Sequence, residues 1–329
     1  MYRKNGLQHT FLKLRESNST GDFPLIMANV AHKALIKGFG RIPSPWKTYA
    51  KIGDLVDFKT HNRAWLGEFS DWVKKADDGA DGYKEGKIFE KGYTIALGTY
   101  GRSFQMTRQM VINDDLSAFT DAPEKIGRAG SRTLGKQVAA ILETNPNAYD
   151  ASPLFGTRNS VSNFSNTALT ADATGIAALQ AGMTAIRNAK DPDTGEKLGL
   201  QAKYLIVPTE LEAVATWLTT GQGLIGSTSA IAEIPKPIRS LTVVVDPWLT
   251  RFTSRWYLAA DPADAHFVEV GFLSGNMDPQ VFLKKSEAIR VGGGGVDDFG
   301  YDYDDIQMKG RLDWAIAPAM YQAVFKGGS

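Results

Sequence analysis

The stretch 121–145, DAPEKIGRAGSRTLGKQVAAILETN, constrains this chain more than any other. Ile126, Leu134, Val138, Ile141 and Leu142 recur at helical intervals, and Ala129 and Gly130 fill the same stripe at small volume. That spacing predicts one long helix with a face made for burial. Asp121 is placed to cap its start, Pro123 suits a first turn whose N–H groups lack partners anyway, and Asn145 before Pro146 supplies the stop. On the opposite side Lys125, Arg128, Arg132 and Lys136 fall three and four residues apart, with only Glu124 near them. Such a stripe is by default a solvated face; its functional alternative is contact with a polyphosphate.

A chain of 329 residues with a formal charge of +1 has room for two domains and no global field directed at nucleic acid. The absence of cysteine excludes disulfide staples, thiolate metal sites and a thiol nucleophile. The opening MYRKNGLQHTFLKLRES breaks its apolar residues with charge, unlike a signal peptide. No later apolar run approaches the roughly 20 residues of a membrane helix. A soluble, cytoplasmic product is expected.

In chain order, residues 1–21 show no sustained period and read as a flexible arm. A helix is expected from Asp22 to about Lys37, with Ile26, Val30, Ala34 and Leu35 on one side and Gly38 and Gly40 closing it. RIPSPW, with two prolines, predicts an extended segment. From Lys51 to about Arg102, IGDLVDFKTHNRAWLGEF reads as one long strand, KKADDGADG as a turn, and YKEGKIFEKGYTIALGTYGR as the returning strand. In the return, Glu85, Lys87 and Lys91 share parity with Tyr83, Phe89, Tyr93, Ile95 and Leu97, so the outer half has no clean core face. A two-stranded ribbon buries too little apolar surface to be stable alone, yet Trp65, Leu66, Phe69 and Trp72 gather near its far end. They need another surface to cover them.

FQMTRQMVINDDLSAF reads as a strand and a turn. After Pro146 the polar stretch AYDASPLFGTRNSVSNFSNTALTAD reads as a linker or exposed loop between compact parts. Asp172 is expected to start a helix, KYLIV a buried strand, and Thr209 with Glu212 a capping box for TELEAVATWL. LTVVVD, RWYLAAD, FVEVGFL, QVFLKKSEAIRV and YDYDDIQMKGRLDWAIA read as strands, and the chain closes in a glycine tail. Helices and strands mix without strict alternation, which predicts an α+β class.

No catalytic or metal constellation stands out. His9, His32, His61 and His266 fall in four different expected elements, without metal-ligand spacing. No G-x-S-x-G elbow follows a strand. GQGLIGST has phosphate-loop glycine spacing but carries Ser227 where the lysine belongs, so it reads as a loop. Asp297, Asp298, Asp302, Asp304 and Asp305 lack the glutamate and spacing of a calcium loop, and Gly292–Gly295 opens no helix. Neither a cofactor nor an enzyme activity is expected.

The order of these parts resembles the major capsid proteins of tailed bacteriophages. The resemblance is carried by TGDFPLIMANVAHKALIKGF, VDFKTHNRAWLGEF, GYTIALGTYGRSFQMTRQMVINDDLSAF, the long helix, KYLIVP and WYLAADP, and extends from about Gly21 to Lys326. It implies the Hong Kong 97-type α+β capsid fold, closest to versions fused behind a prohead protease, with this chain as the shell part. It assigns residues 1–50 to an N-terminal arm and 51–100 to an extended E-loop. A peripheral domain follows at 101–150, with its spine helix at 121–145, then an axial domain at 151–278. Residues 279–329 become return strands and a C-terminal tail that comes back to the axial domain.

The function implied is self-assembly into hexamers and pentamers of an icosahedral head enclosing double-stranded DNA, in the virion, after assembly in the host cytoplasm. Partners would be further copies of the chain, packaged DNA through non-specific backbone contact, and portal, scaffold or decoration proteins, with no membrane. Trp65, Leu66, Phe69 and Trp72 become expected inter-subunit contacts, and Lys125, Arg128, Arg132 and Lys136 expected inner-face DNA contacts. The alternative is an encapsulin-like nanocompartment shell, which shares the fold and encloses protein cargo.

Overall fold

The computed structural model describes residues 22–68, 71–74, 89–107, 109, 116–158, 161–220, 234–284 and 305–329. The expected arm, Phe69, the outer hairpin turn, GQGLIGST, the run Gly292–Gly295 and Asp297 to Asp304 lie outside the described residues.

Helix α1 spans Asp22–Gly40, longer than expected. Its buried positions are Ala31, Leu35 and Phe39, while Val30 is 43% exposed, so the inward face is rotated one residue from the expected one. The cause is helix–helix packing at glycine. A Cβ on Gly38 would collide with the Glu124 backbone, and one on Gly127 with the backbone of Leu35 and Phe39. Gly38 therefore permits a close backbone approach instead of ending the helix. RIPSPW is not extended throughout, because α2 (Trp46–Tyr49) makes one helical turn that buries both aromatics.

The single long strand expected after Lys51 is two strands, β1 (Lys51–Leu55) and β2 (His61–Leu66). Between them Lys59 N donates to Asp57 Oδ1 at 3.0 Å, the local side-chain turn that aspartate favours. Strands β3 (Glu90–Ile95) and β4 (Gly98–Thr107) follow. Only β2 and β3 form the hairpin, in antiparallel register with Arg63 opposite Tyr93.

The long helix α3 runs Leu116–Thr144, so Asp121 lies within it and is not its cap, and Pro123 is interior. The stop is as expected. Asn145 adopts φ 51°, and its side-chain amide accepts from Phe155 N at 2.7 Å and donates to Phe155 O at 3.2 Å.

Residues 146–171 are packed, not a linker. They carry the short strands β5 (Thr157–Arg158) and β6 (Val161–Ser162) and bury Leu154, Phe155 and Leu169. Asn163 donates to the carbonyls of Leu154 and Tyr321 and accepts from Gly156 N. Irregular backbone can be buried only when its polar groups are satisfied, and the Asn, Ser and Thr that mimic a solvated loop do that satisfying here.

Asp172 caps α4 (Ala173–Arg187) as expected, accepting from Thr174 N and Gly175 N. After β7 (Ala202–Val207) the expected capping box is absent. Pro208 precedes a 3₁₀ turn, Thr209–Leu211, that leads into α5 (Glu212–Thr220). Then come α6 (Lys236–Arg239), β8 (Thr242–Val245), β9 (Trp256–Ala260), β10 (Val268–Leu273), β11 (Gln280–Leu283), β12 (Asp305–Pro318) and β13 (Val324–Gly327). The expected glycine tail is thus a strand, pairing antiparallel with β9 from Val324↔Ala259 to Gly327↔Trp256.

The described residues divide into two compact units. One draws on 1–43, 99–133 and 276–313; it pairs β11 with the first part of β12 and packs Ala31, Ile306 and Met308 against Phe104, Val281 and Leu283. The other draws on 44–98, 134–275 and 314–329. Its four-stranded sheet, in order β13-β9-β7-β8, packs with α4 and α5 around Leu179, Leu205, Leu218, Trp256, Leu258 and Phe325. Beside it β1 lies parallel to β10, and β10 antiparallel to the end of β12.

Candidate assembly surfaces

The hairpin is fixed to its own chain by buried charge. Lys91 points inward with Tyr93 and Ile95, and its Nζ lies 2.5 Å from Asp191 Oδ2 and 3.0 Å from Asp193 Oδ2. Burial pushes the Asp191 carboxyl up, but bonds from Lys91 and from the amides of Asp193, Glu68 and Thr194 outweigh it and hold the group below the usual range. Gly67 makes room, since a Cβ there would stand 3.0 Å from Asp191 Oδ2 and 3.3 Å from Lys91 Nζ.

A second buried network holds the inner end. Arg63 Nη2 donates to Asp54 O at 2.7 Å and pairs with Glu269 Oε1 at 3.0 Å. The Tyr93 hydroxyl donates to Glu269 Oε2, and His266 Nε2 lies 2.9 Å from the same phenol oxygen. With the phenol proton committed to the carboxylate, His266 is the donor to Tyr93. Burial, then the charges of Lys51 and Arg63, hold the imidazole down to about 4. Burial and Glu269 push the Tyr93 phenol up.

Beyond these anchors the apolar residues turn outward. Trp72 is fully exposed, Leu66 67% exposed and Val73 61% exposed. Trp65 is different. Its ring is 5.9 Å from Tyr93 and 5.0 Å, edge-on, from Tyr149, so it packs within its own subunit. Of the four expected contact residues, Leu66 and Trp72 thus offer free apolar surface, and Phe69 is outside the described residues.

On α3, Lys125, Arg132 and Lys136 are exposed. Arg128 is turned aside, with Nη2 2.5 Å from Glu124 Oε1, a carboxylate also 2.7 Å from Arg41. The hydrogen bonds from Arg41 and Arg128 hold Glu124 below the usual range. Lys136 Nζ lies 6.0 Å over the Trp248 ring.

Sequence reading missed the Lys91–Asp191 pair and the Arg63–Glu269–Tyr93–His266 network. The available signal was Lys91 itself, a charge on the apolar parity of its strand, which marks a buried partner. Among the described residues no group of three His, Asp or Glu could hold a metal ion, and no helix is long and apolar enough to cross a membrane.

Residues 92–327 match the family model described as phage capsid protein. The chain belongs to the phage capsid protein family. Among solved structures, this capsid protein is similar to one from Mycobacterium phage Adephagia, at 11% identity and TM-score 0.57, covering 87% of this chain and 89% of that one. It is likewise similar to the capsid structure of the cyanophage P-SCSP1u, at 13% identity and TM-score 0.56, covering 86% and 87%. A third likeness is to the bacteriophage JBD30 capsid, at 16% identity and TM-score 0.53, covering 64% and 92%. A search of curated proteins finds no match. At these identities the likeness is one of fold, and the fold is the Hong Kong 97-type α+β capsid fold. This capsid protein is a structural shell component of the virion, and its partners are other copies of itself.

Proposed function

We propose that this chain builds the hexamers and pentamers of an icosahedral phage head enclosing double-stranded DNA, assembled in the host cytoplasm with portal, scaffold or decoration proteins. Residues 1–50 act as the N-terminal arm, 51–100 as the E-loop, 101–150 with 279–329 as the peripheral domain and tail, and 151–278 as the axial domain. The observation that carries this reading is Trp72, fully exposed beside Val73 and Leu66, on a hairpin whose base is tied down by buried ion pairs. A contiguous apolar group held out in solvent is explained by a partner that covers it. Leu66, Phe69 and Trp72 dock on a neighbouring copy, and Trp65 sets the direction in which they project.

The contact is heterologous, since the projecting residues meet a different surface on the next copy, and such contacts close into rings. Each subunit grips several neighbours, so modest interfaces add through multivalency. Lys125, Arg132 and Lys136 face the genome, with Arg128 contributing less because Glu124 already takes its charge.

Negative-stain microscopy of the purified full chain, with sedimentation, tests the reading. It expects closed icosahedral shells containing DNA when made in infected cells. A monomer at high concentration, or shells holding a protein cargo in place of DNA, would contradict it.

A further inference from the structure

Four cations of the larger compact unit are seated on aromatic rings. Lys136 Nζ lies 6.0 Å from the Trp248 centroid, Arg251 Cζ and Arg255 Cζ 5.0 Å and 3.3 Å from Phe252, and Lys326 Nζ 5.5 Å from Phe164. Elsewhere in this unit Arg63, Lys91 and Arg158 meet carboxylates directly. Among the described residues none of the four ring-seated cations has an acid within ion-pair reach.

The first three belong to one stretch of surface. Residues 246–255 run beside the second half of α3: a Cβ on Gly135 would touch the Trp248 indole, and Arg251 N donates to Glu143 Oε1 at 2.7 Å. Glu143, the acid nearest this loop, is thereby engaged by a backbone amide. Arg255 extends the charge to Lys326, whose ammonium burial and the Arg255 charge together hold below its usual range. Like charges brought together without a local anion are unfavourable, and an arriving anion relieves the cost.

A carboxylate cancels a cation in place, whereas a ring orients it and leaves its charge and outward N–H donors available. Two guanidinium forks and two ammonium groups set along a helix and its neighbouring loop match the repeated, singly charged acceptors of a phosphodiester backbone. We propose that Lys136, Arg251, Arg255 and Lys326 form a phosphate-contact strip for the enclosed nucleic acid, continuing the exposed cations of α3. The assignment rests on the DNA-enclosing reading above and deepens it.

The test is fluorescence anisotropy of a labelled 30-base-pair duplex with the purified full chain, across 50 to 200 mM salt. Arg251→Gln/Arg255→Gln/Lys326→Gln should weaken binding at least about tenfold and lower the log–log salt slope by about 2.7, near 0.9 per lost phosphate contact. Arg251→Gln alone, at an exposed position, should remove about 0.9 and guards against misfolding of the triple variant. Arg255→Lys should keep the slope. An unchanged slope overturns the strip, as does an equal loss in the control Lys33→Gln/Lys59→Gln/Lys203→Gln. A loss confined to a poly-glutamate probe would assign the surface to an acidic protein segment and also overturn it. Slope loss in Lys125→Gln/Arg132→Gln with none in the loop variant would sink the strip while leaving the DNA-enclosing reading intact. Failure of the wild type to bind duplex would contradict both.

Discussion

Lys91 Nζ lies 2.5 Å from Asp191 Oδ2, with the two side chains 7% and 4% exposed and exactly one hundred positions apart in sequence. This contact decides where the hairpin stops belonging to its own subunit. Removing one partner leaves a buried, uncompensated charge, at a cost of about 3 to 5 kcal/mol. Lys91→Met should therefore lower the urea midpoint of unfolding sharply. A loss below about 1 kcal/mol would mean that solvent reaches the pair.

His266 gives a pH dependence. Its imidazole is held down to about 4 in the fold by burial and by Lys51 and Arg63, and it faces Tyr93 and Glu269 as well. As pH falls below about 6.5, the unfolded chain takes up the proton first, so stability falls between 6.5 and 4. The loss is about 2 to 3 kcal/mol at 1.36 kcal/mol per unit, allowing for solvent screening. The difference between the unfolding curves of wild type and His266→Gln isolates this contribution from the carboxylates. It should be flat above pH 7 and should narrow progressively below 6.5.

Gly127 should resist substitution. A Cβ there would stand 2.8 Å from Phe39 N, where α1 crosses α3. Forcing the helices apart costs about 1 to 3 kcal/mol, so Gly127→Ala should unfold at a lower temperature, while Gly40→Ala, with open space around it, should not.

Much of the fold was legible where local chemistry decides it. Asp172 as a helix cap, Asn145 as a stop, and the apolar runs of β7, β9 and β10 all stand where expected. Legibility failed where a partner distant in sequence decides. Nothing local announces that β1 pairs in parallel with Val268–Leu273, or that a polar stretch before Asp172 is buried by satisfying its own backbone. The inward face of α1 was misjudged by one residue because the helix packs through Gly38, a residue that composition reads as a terminator. At the assembly surface the cluster Trp65, Leu66, Phe69 and Trp72 was visible, but not its division of labour. Only packing on Tyr93 and Tyr149 separates Trp65 from the exposed Trp72.

That division yields opposite expectations for two tryptophans. Trp65→Ala removes an aromatic contact inside the subunit and should cost about 2 to 4 kcal/mol of subunit stability. Trp72→Ala removes a side chain that touches nothing in its own chain and should leave stability within about 0.5 kcal/mol.

The most direct measurement is therefore the assembly of Trp72→Ala, followed by sedimentation velocity and negative-stain microscopy beside an unfolding curve of the same preparation. The account predicts a normally folded subunit that fails to close shells at concentrations where the wild type does. Shells of normal yield and stability from this variant would show that the exposed hairpin end does not bind a neighbouring copy.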